Sequence, residues 1–152
     1  MSLFPSLTRR AFLTAASAAL GGAALRAEFI DPQRPLRVAV VGFGARGQQH
    51  ARTFVTMPGV ALAAVCDRDR ARFGDCRRLS QESDANPRFY DDAYDLLATA
   101  NIDAITIATS DEYHADLAIA AARTGKHVFV ESPSALSFGQ VSALVSAAER
   151  HQ

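Results

Sequence analysis

Leu36-Arg37-Val38-Ala39-Val40-Val41-Gly42-Phe43-Gly44-Ala45-Arg46-Gly47 is the stretch on which the fold turns. Its first half is a short, β-branched apolar run with no helical stripe, which reads as a buried strand ending at Gly42. A helix is expected from Ala45 to Met57, stopped by Pro58-Gly59. Between them lies a full G-x-G-x-x-G. In that setting Gly42 permits a tight turn, Gly44 lets backbone approach a pyrophosphate, and Gly47 allows close packing of helix on strand. The first N–H groups of the helix, at Ala45, Arg46 and Gly47, then face the phosphates together with the helix dipole. A second strand, Val60 to Cys66, ends at Asp67, twenty residues past Gly47. A carboxylate there accepts hydrogen bonds from the adenosine ribose and repels a 2′-phosphate. NAD is the expected cofactor, with Arg68 next door able to soften the bias against NADP. Gly42, Phe43, Gly44, Ala45, Arg46, Gly47, Asp67 and Arg68 are therefore candidate cofactor-binding residues.

The remainder alternates between the same two periods. Asp69 to about Ser83 reads as a helix with Phe73, Cys76 and Leu79 on its buried side. Arg88–Tyr90 reads as a short strand, with Asp91 or Asp92 capping a helix through Ala98. Ala104–Ala108 is a fourth strand, 112–124 a helix buried through Leu117, Ala118, Ala121 and Ala122, and His127–Val130 a fifth strand. Ser137 and Gln140 form a capping box for a last helix whose apolar stripe is Val141, Leu144, Val145 and Ala148. Apolar strands separated by amphipathic helices call for an α/β fold, a doubly wound parallel sheet covered on both faces.

Composition narrows the field. The chain has 152 residues, 49% apolar, with 16 basic groups balancing 16 acidic ones. That suits one domain of ordinary size. Charge at 21% argues against a disordered chain, and the absence of a basic excess argues against a nucleic-acid partner held by bulk charge. Two cysteines, Cys66 and Cys76, make no disulfide scaffold and have no zinc-ligand spacing; both are expected to be small buried residues. Lys126 is the only lysine, and Arg9, Arg10 and Arg26 lie in a leader with no acid. Without residues 1–27 the balance is 13 basic against 16 acidic groups, mildly negative.

That leader reads as an address. Thr8-Arg9-Arg10-Ala11-Phe12-Leu13 opens an Ala-rich run reaching Leu25, about 15 residues, short of the roughly 20 needed for a stable membrane span. Arg-Arg-x-Phe-Leu resembles a twin-arginine signal, which implies a bacterial protein exported after folding to the periplasm or beyond. The expected organisation is a signal at 1–27, a linker at 28–35 and a dinucleotide-binding domain at 36–152.

Several blocks resemble the glucose–fructose oxidoreductase / inositol dehydrogenase (Gfo/Idh/MocA) family. They are Val40–Gly47 with His50-Ala51, Val65-Cys66-Asp67-Arg68, Asp103–Thr109 followed by His114, and Gly125-Lys126-His127-Val128-Phe129-Val130-Glu131. The resemblance spans roughly 36–150. It implies an NAD(P)-binding domain that serves oxidation or reduction of sugars, cyclitols and polyols. It also implies Thr109 beside the cofactor and Glu131 near the nicotinamide end. His50 and His114 match too, and each is expected simply to pack or to cap a helix.

Two departures matter. Family enzymes usually carry Glu-Lys-Pro after the fifth strand, with the Lys assisting proton transfer; here the triplet is Glu131-Ser132-Pro133. Lys126 cannot replace it, because it precedes the strand and falls at the opposite sheet edge. Ser132 is no useful general base without an activator. The chain also ends at Gln152, where family members continue into a substrate domain. The expectation is a cofactor domain of an exported sugar or polyol oxidoreductase, not catalytic alone and partnered by a separate C-terminal chain. Alternatives are the cofactor domain of an NAD-dependent glycoside hydrolase, favoured by a Glu-x-Pro without Lys, and a non-enzymatic nucleotide-binding module.

Overall fold

The computed structural model describes residues 34–151; the expected signal and nearly all of the expected linker lie outside them. Five strands, β1 (Leu36–Val41), β2 (Val60–Cys66), β3 (Arg88–Tyr90), β4 (Ala104–Ile107) and β5 (His127–Val130), alternate with five helices. These are α1 (Ala45–Thr56), α2 (Phe73–Glu82), α3 (Ala93–Thr99), α4 (His114–Arg123) and α5 (Phe138–Arg150). The strands pair in parallel in the order β3-β2-β1-β4-β5. The order reverses between β1 and β4, and ligands in open parallel sheets bind beyond the strand ends at such a switch point.

Alternation along the strands divides the core in two. Val40, Leu62 and Val65 meet Phe43, Ala51, Cys76 and Leu79 on the face covered by α1 and α2. Ala39, Val41, Ile105 and Ile107 meet Leu96, Leu97, Leu117, Ala118 and Ala121 on the face covered by α3 and α4. Both cysteines are free and buried, and burial above all raises their thiols, Cys66 to about 12 and Cys76 to about 11. Neither is a nucleophile at neutral pH.

Two helix starts differ from expectation. Single 3-10 turns at Arg70–Arg72 and Asp111–Tyr113 precede α2 and α4, so each α-helix proper begins later. The last helix differs more. Its inward residues are Leu144 and Ala147, whereas Val141 and Val145 are 43% and 50% exposed and Ala148 is exposed as well. The four-residue apolar spacing is present, but α5 lies against its neighbours with that stripe rotated outward. Half of its capping box forms as expected, Ser137 Oγ accepting from the Gln140 N–H, while Gln140 Oε1 reaches one residue further back, to the Leu136 N–H rather than that of Ser137.

The sheet edge opposite the switch point is fastened by charge. Arg34 grips Asp103 with two hydrogen bonds of 2.8 Å, the Arg37 N–H adds a third, and Lys126 Nζ donates to the Ile102 carbonyl at 2.8 Å. The Arg34 hydrogen bonds, aided by that of Arg37 and working against burial, hold the Asp103 carboxyl below the usual range. Lys126 is thus committed to the edge away from the crevice. Among the described residues no helix is long and apolar enough to cross a membrane.

Candidate functional site

The loop after β1 is shaped by its glycines. Gly42 has φ +86°, and a Cβ there would lie 2.5 Å from the Ala108 carbonyl oxygen, so the turn needs a residue without a side chain. A Cβ on Gly47 would lie 1.8 Å from the Gly42 carbonyl oxygen, which fixes how closely α1 starts against the loop. Gly44 is different. Nothing lies within 4 Å of a Cβ built on it, and its φ of −68° suits any residue. Packing demands two of the three glycines; the third borders open space.

Gly44 is also the N-cap of α1. No side chain caps the helix and no acidic residue sits in its first turn. The N–H groups of Ala45, Arg46 and Gly47 therefore keep the partial positive charge of a bare helix start. An open approach at Gly44, uncapped N–H groups behind it and no competing carboxylate fit a pyrophosphate.

Asp67 stands across the loop, its side chain 14% exposed. It already has structural work. Oδ2 accepts the Phe43 N–H at 2.6 Å, Oδ1 accepts the Asp69 N–H at 2.8 Å, and the Arg72 Nε lies 3.7 Å from Oδ2. Each oxygen retains a second lone pair for a ribose hydroxyl. Arg68 is exposed and has no ion pair among the described residues, so the guanidinium beside Asp67 is that of Arg72, which sequence reasoning did not select. The Phe43 side chain takes no part in the site. It is 1% exposed in the core, and its N–H is committed to Asp67.

At the far end of the crevice, Thr109 follows β4 and donates from Oγ1 to the Ser110 carbonyl at 3.2 Å. Glu131 follows β5, 22% exposed, with Oε1 2.7 Å from His50 Nε2 and 3.5 Å from Arg46 Nε. His50 Nδ1 lies 2.8 Å from the Oγ1 of Thr106, a hydroxyl buried in β4. His114 is buried at 1% exposure, its Nδ1 2.8 Å from the Pro133 carbonyl and its Nε2 3.0 Å from that of Thr109. It ties together the two loops that flank the crevice. Both histidines do more than pack or cap. Apart from Thr109, five residues before His114, their partners are distant in sequence, so no local spacing signals them. Ser132 is exposed, joined to Pro133 by a cis peptide bond. Among the described residues no group of His, Cys, Asp and Glu could hold a metal ion.

Residues 36–152 match the family model described as an oxidoreductase family with an NAD-binding Rossmann fold, Gfo/Idh/MocA. The chain belongs to this family. Its cofactor is accordingly a nicotinamide adenine dinucleotide. The chain is 37% identical over 122 residues to a glycosyl hydrolase family 109 protein of a Shewanella species, a match covering 77% of this chain and 27% of that one. Among solved structures, myo-inositol 2-dehydrogenase from Lactobacillus plantarum superposes with a TM-score of 0.70 at 33% identity, covering 78% of this chain and 34% of that one. Scyllo-inositol dehydrogenase from Lactobacillus casei with bound NAD(H) and scyllo-inositol gives a TM-score of 0.69 at 25% identity. The chain spans about a quarter of the length of the curated relatives it matches, 27%, and about a third of these solved chains, 34%.

Proposed function

We propose that the chain is the NAD-binding part of a Gfo/Idh/MocA enzyme acting on a sugar, with its pyrophosphate at Gly44–Gly47 and its adenosine ribose at Asp67. Glu131 lies at the nicotinamide end and Thr109 beside the cofactor. The carrying observation is the unequal environment of the glycines, packed at Gly42 and Gly47 and open at Gly44. When bound, the cofactor supplies a two-electron acceptor and donor of hydride. The chain's own residues orient it. Asp67 secures the loop and offers lone pairs to the ribose, while the His114 bridge holds the Thr109 and Pro133 loops at a fixed separation.

Two chemistries use such a site, net oxidation or reduction of a polyol and glycoside cleavage through a transient oxidation. Ser132 in place of a lysine, together with the 37% identity to glycosyl hydrolase family 109 proteins, favours the second for this chain. No ammonium stands beside Glu131 for proton transfer at a substrate hydroxyl, since Lys126 is fastened at the opposite edge. The reaction itself is proposed for a protein of the relatives' length. Fusing this chain to the remaining portion of such a relative and assaying aryl-glycoside cleavage beside polyol oxidation tests the choice. Glycoside cleavage with NAD carries it, and polyol-dependent NADH formation alone overturns it.

Export is part of the same proposal. It is supported by the Arg9-Arg10-x-Phe12-Leu13 pattern and the acid-free leader. Replacing both arginines by lysine should retain the chain in the cytoplasmic fraction; unchanged fractionation would contradict a twin-arginine route.

A further inference from the structure

Four side chains at the β4–β5 end of the crevice form a connected line. Buried Thr106 meets His50 Nδ1 at 2.8 Å, His50 Nε2 meets Glu131 Oε1 at 2.7 Å, and Arg46 Nε stands 3.5 Å from the same oxygen. The imidazole is 16% exposed and packed edge-on to Phe129, ring centroids 5.7 Å apart, with Phe54 at 6.4 Å. The groups facing the ring are therefore Phe54 from its own helix, Thr106 from β4, Phe129 from β5 and Glu131 just after β5. Glu131 is the only ionisable group in contact with the ring among the described residues, and Arg46 reaches that carboxylate from α1.

This arrangement accommodates two charge states with one geometry. In the neutral ring Nε2–H donates to Glu131 and the Thr106 hydroxyl donates to Nδ1. In the protonated ring both nitrogens donate, and the Thr106 hydroxyl rotates to accept. The proton changes the charge beside Glu131 without moving it.

We propose that His50 is a positioning residue that sets, through Glu131, how strongly the site prefers oxidised over reduced cofactor. The proposal rests on the placement of Glu131 at the nicotinamide end given above. An oxidised nicotinamide ring is a cation and a reduced one is neutral, so a fixed carboxylate favours the oxidised form. Neutral His50 leaves that charge offset, among the described residues, by Arg46, which is 59% exposed. Protonated His50 cancels it. Loss of the proton therefore raises the ratio of NAD+ to NADH affinity.

The test is calorimetric titration of the full chain with NAD+, NADH and ADP-ribose, at about pH 8 and about pH 5.5. ADP-ribose lacks the nicotinamide and reports folding and the adenosine half of the site. The preference for NAD+ should fall about three- to tenfold on acidification, the scale of one partly hydrated charge pair. His50→Gln, which keeps a neutral donor, should hold the higher preference at both pH values. Glu131→Gln should show the lower preference already at about pH 8, with any further fall at about pH 5.5 coming from a His50 cation left without its carboxylate. A wild-type preference that does not change with pH overturns the role of His50, and so does a change that survives in His50→Gln. In either case a loss of NAD+ preference in Glu131→Gln would still leave Glu131 at the nicotinamide. A Glu131→Gln variant with wild-type preference removes Glu131 from that end, and the role of His50 falls with it.

Discussion

Asp67 serves the loop as well as the ligand. Its carboxylate oxygens accept N–H groups from Phe43 and Asp69, 24 residues upstream and two downstream. Asp67→Ala should weaken NAD binding by about 1–3 kcal/mol, the cost of a lost charge-assisted hydrogen bond. It should also lower the melting temperature, because the Phe43 N–H then lacks its acceptor. Unchanged affinity in calorimetry would remove Asp67 from the site. Gly47→Ala is the complementary case. Its Cβ would meet the Gly42 carbonyl at 1.8 Å, so it should cost the fold about 1–3 kcal/mol in chemical denaturation, as overpacking does. A variant as stable as wild type would show that the helix start is free to move. At this scale the glycine and acid spacing was legible because its demands are local. The second duties of Asp67 and His50 were not, since Phe43 and Thr106 come alongside only once the sheet has formed.

Two helices are started by caps that can be read beforehand, α3 by Asp92 and α5 by Ser137, and α5 is oriented by chemistry that cannot. Asp92 accepts from the N–H groups of Tyr94 and Asp95, which makes it, of the two candidates Asp91 and Asp92, the cap of α3. Asp92→Ala should destabilise the fold by about 0.5–2 kcal/mol, measured by thermal or chemical denaturation, with NAD affinity retained in the folded fraction. A loss below the resolution of the melt would mean that packing of Leu96 and Leu97 alone holds the helix. The rotation of α5 shows the limit of periodicity. Val141, Leu144, Val145 and Ala148 share one stripe, yet the helix turns Leu144 and Ala147 inward. A hydrophobic stripe marks a helix; which residues are buried depends on the neighbouring surface, here the cluster to which α4 contributes Leu117, Ala118 and Ala121. The 3-10 turns before α2 and α4 escaped notice for a related reason, because their residues suit either kind of helix.

Across the whole molecule, the strand order follows from alternation and handedness. Each of the five runs expected as strands between residues 36 and 130 pairs in one parallel sheet, because strands joined by helical crossovers run parallel and the helices cover the sheet. The fastening of the opposite edge emerged only in three dimensions, with Arg34 and Asp103 69 residues apart. The hydrogen bonds of Arg34 lower the Asp103 carboxyl in the folded state, so its contribution to stability is present above the ordinary carboxylate range. That contribution is lost as pH falls through the folded value. Melting temperature should therefore decline on acidification below about pH 5, and Asp103→Asn should melt lower at neutral pH with a shallower acid decline. An identical acid decline in that variant would assign the loss to other carboxylates.

The cofactor's position is tested most directly at Gly44, where the fold tolerates a side chain and the ligand does not. The measurement is calorimetric titration of NAD+ into wild-type chain and Gly44→Val, with melting curves beside it. Wild type should bind, and the variant should remain folded with binding abolished or weakened at least about 100-fold, the loss of nearly 3 kcal/mol. A folded Gly44→Val chain that binds NAD+ as tightly as wild type would contradict the placement of the pyrophosphate at this loop.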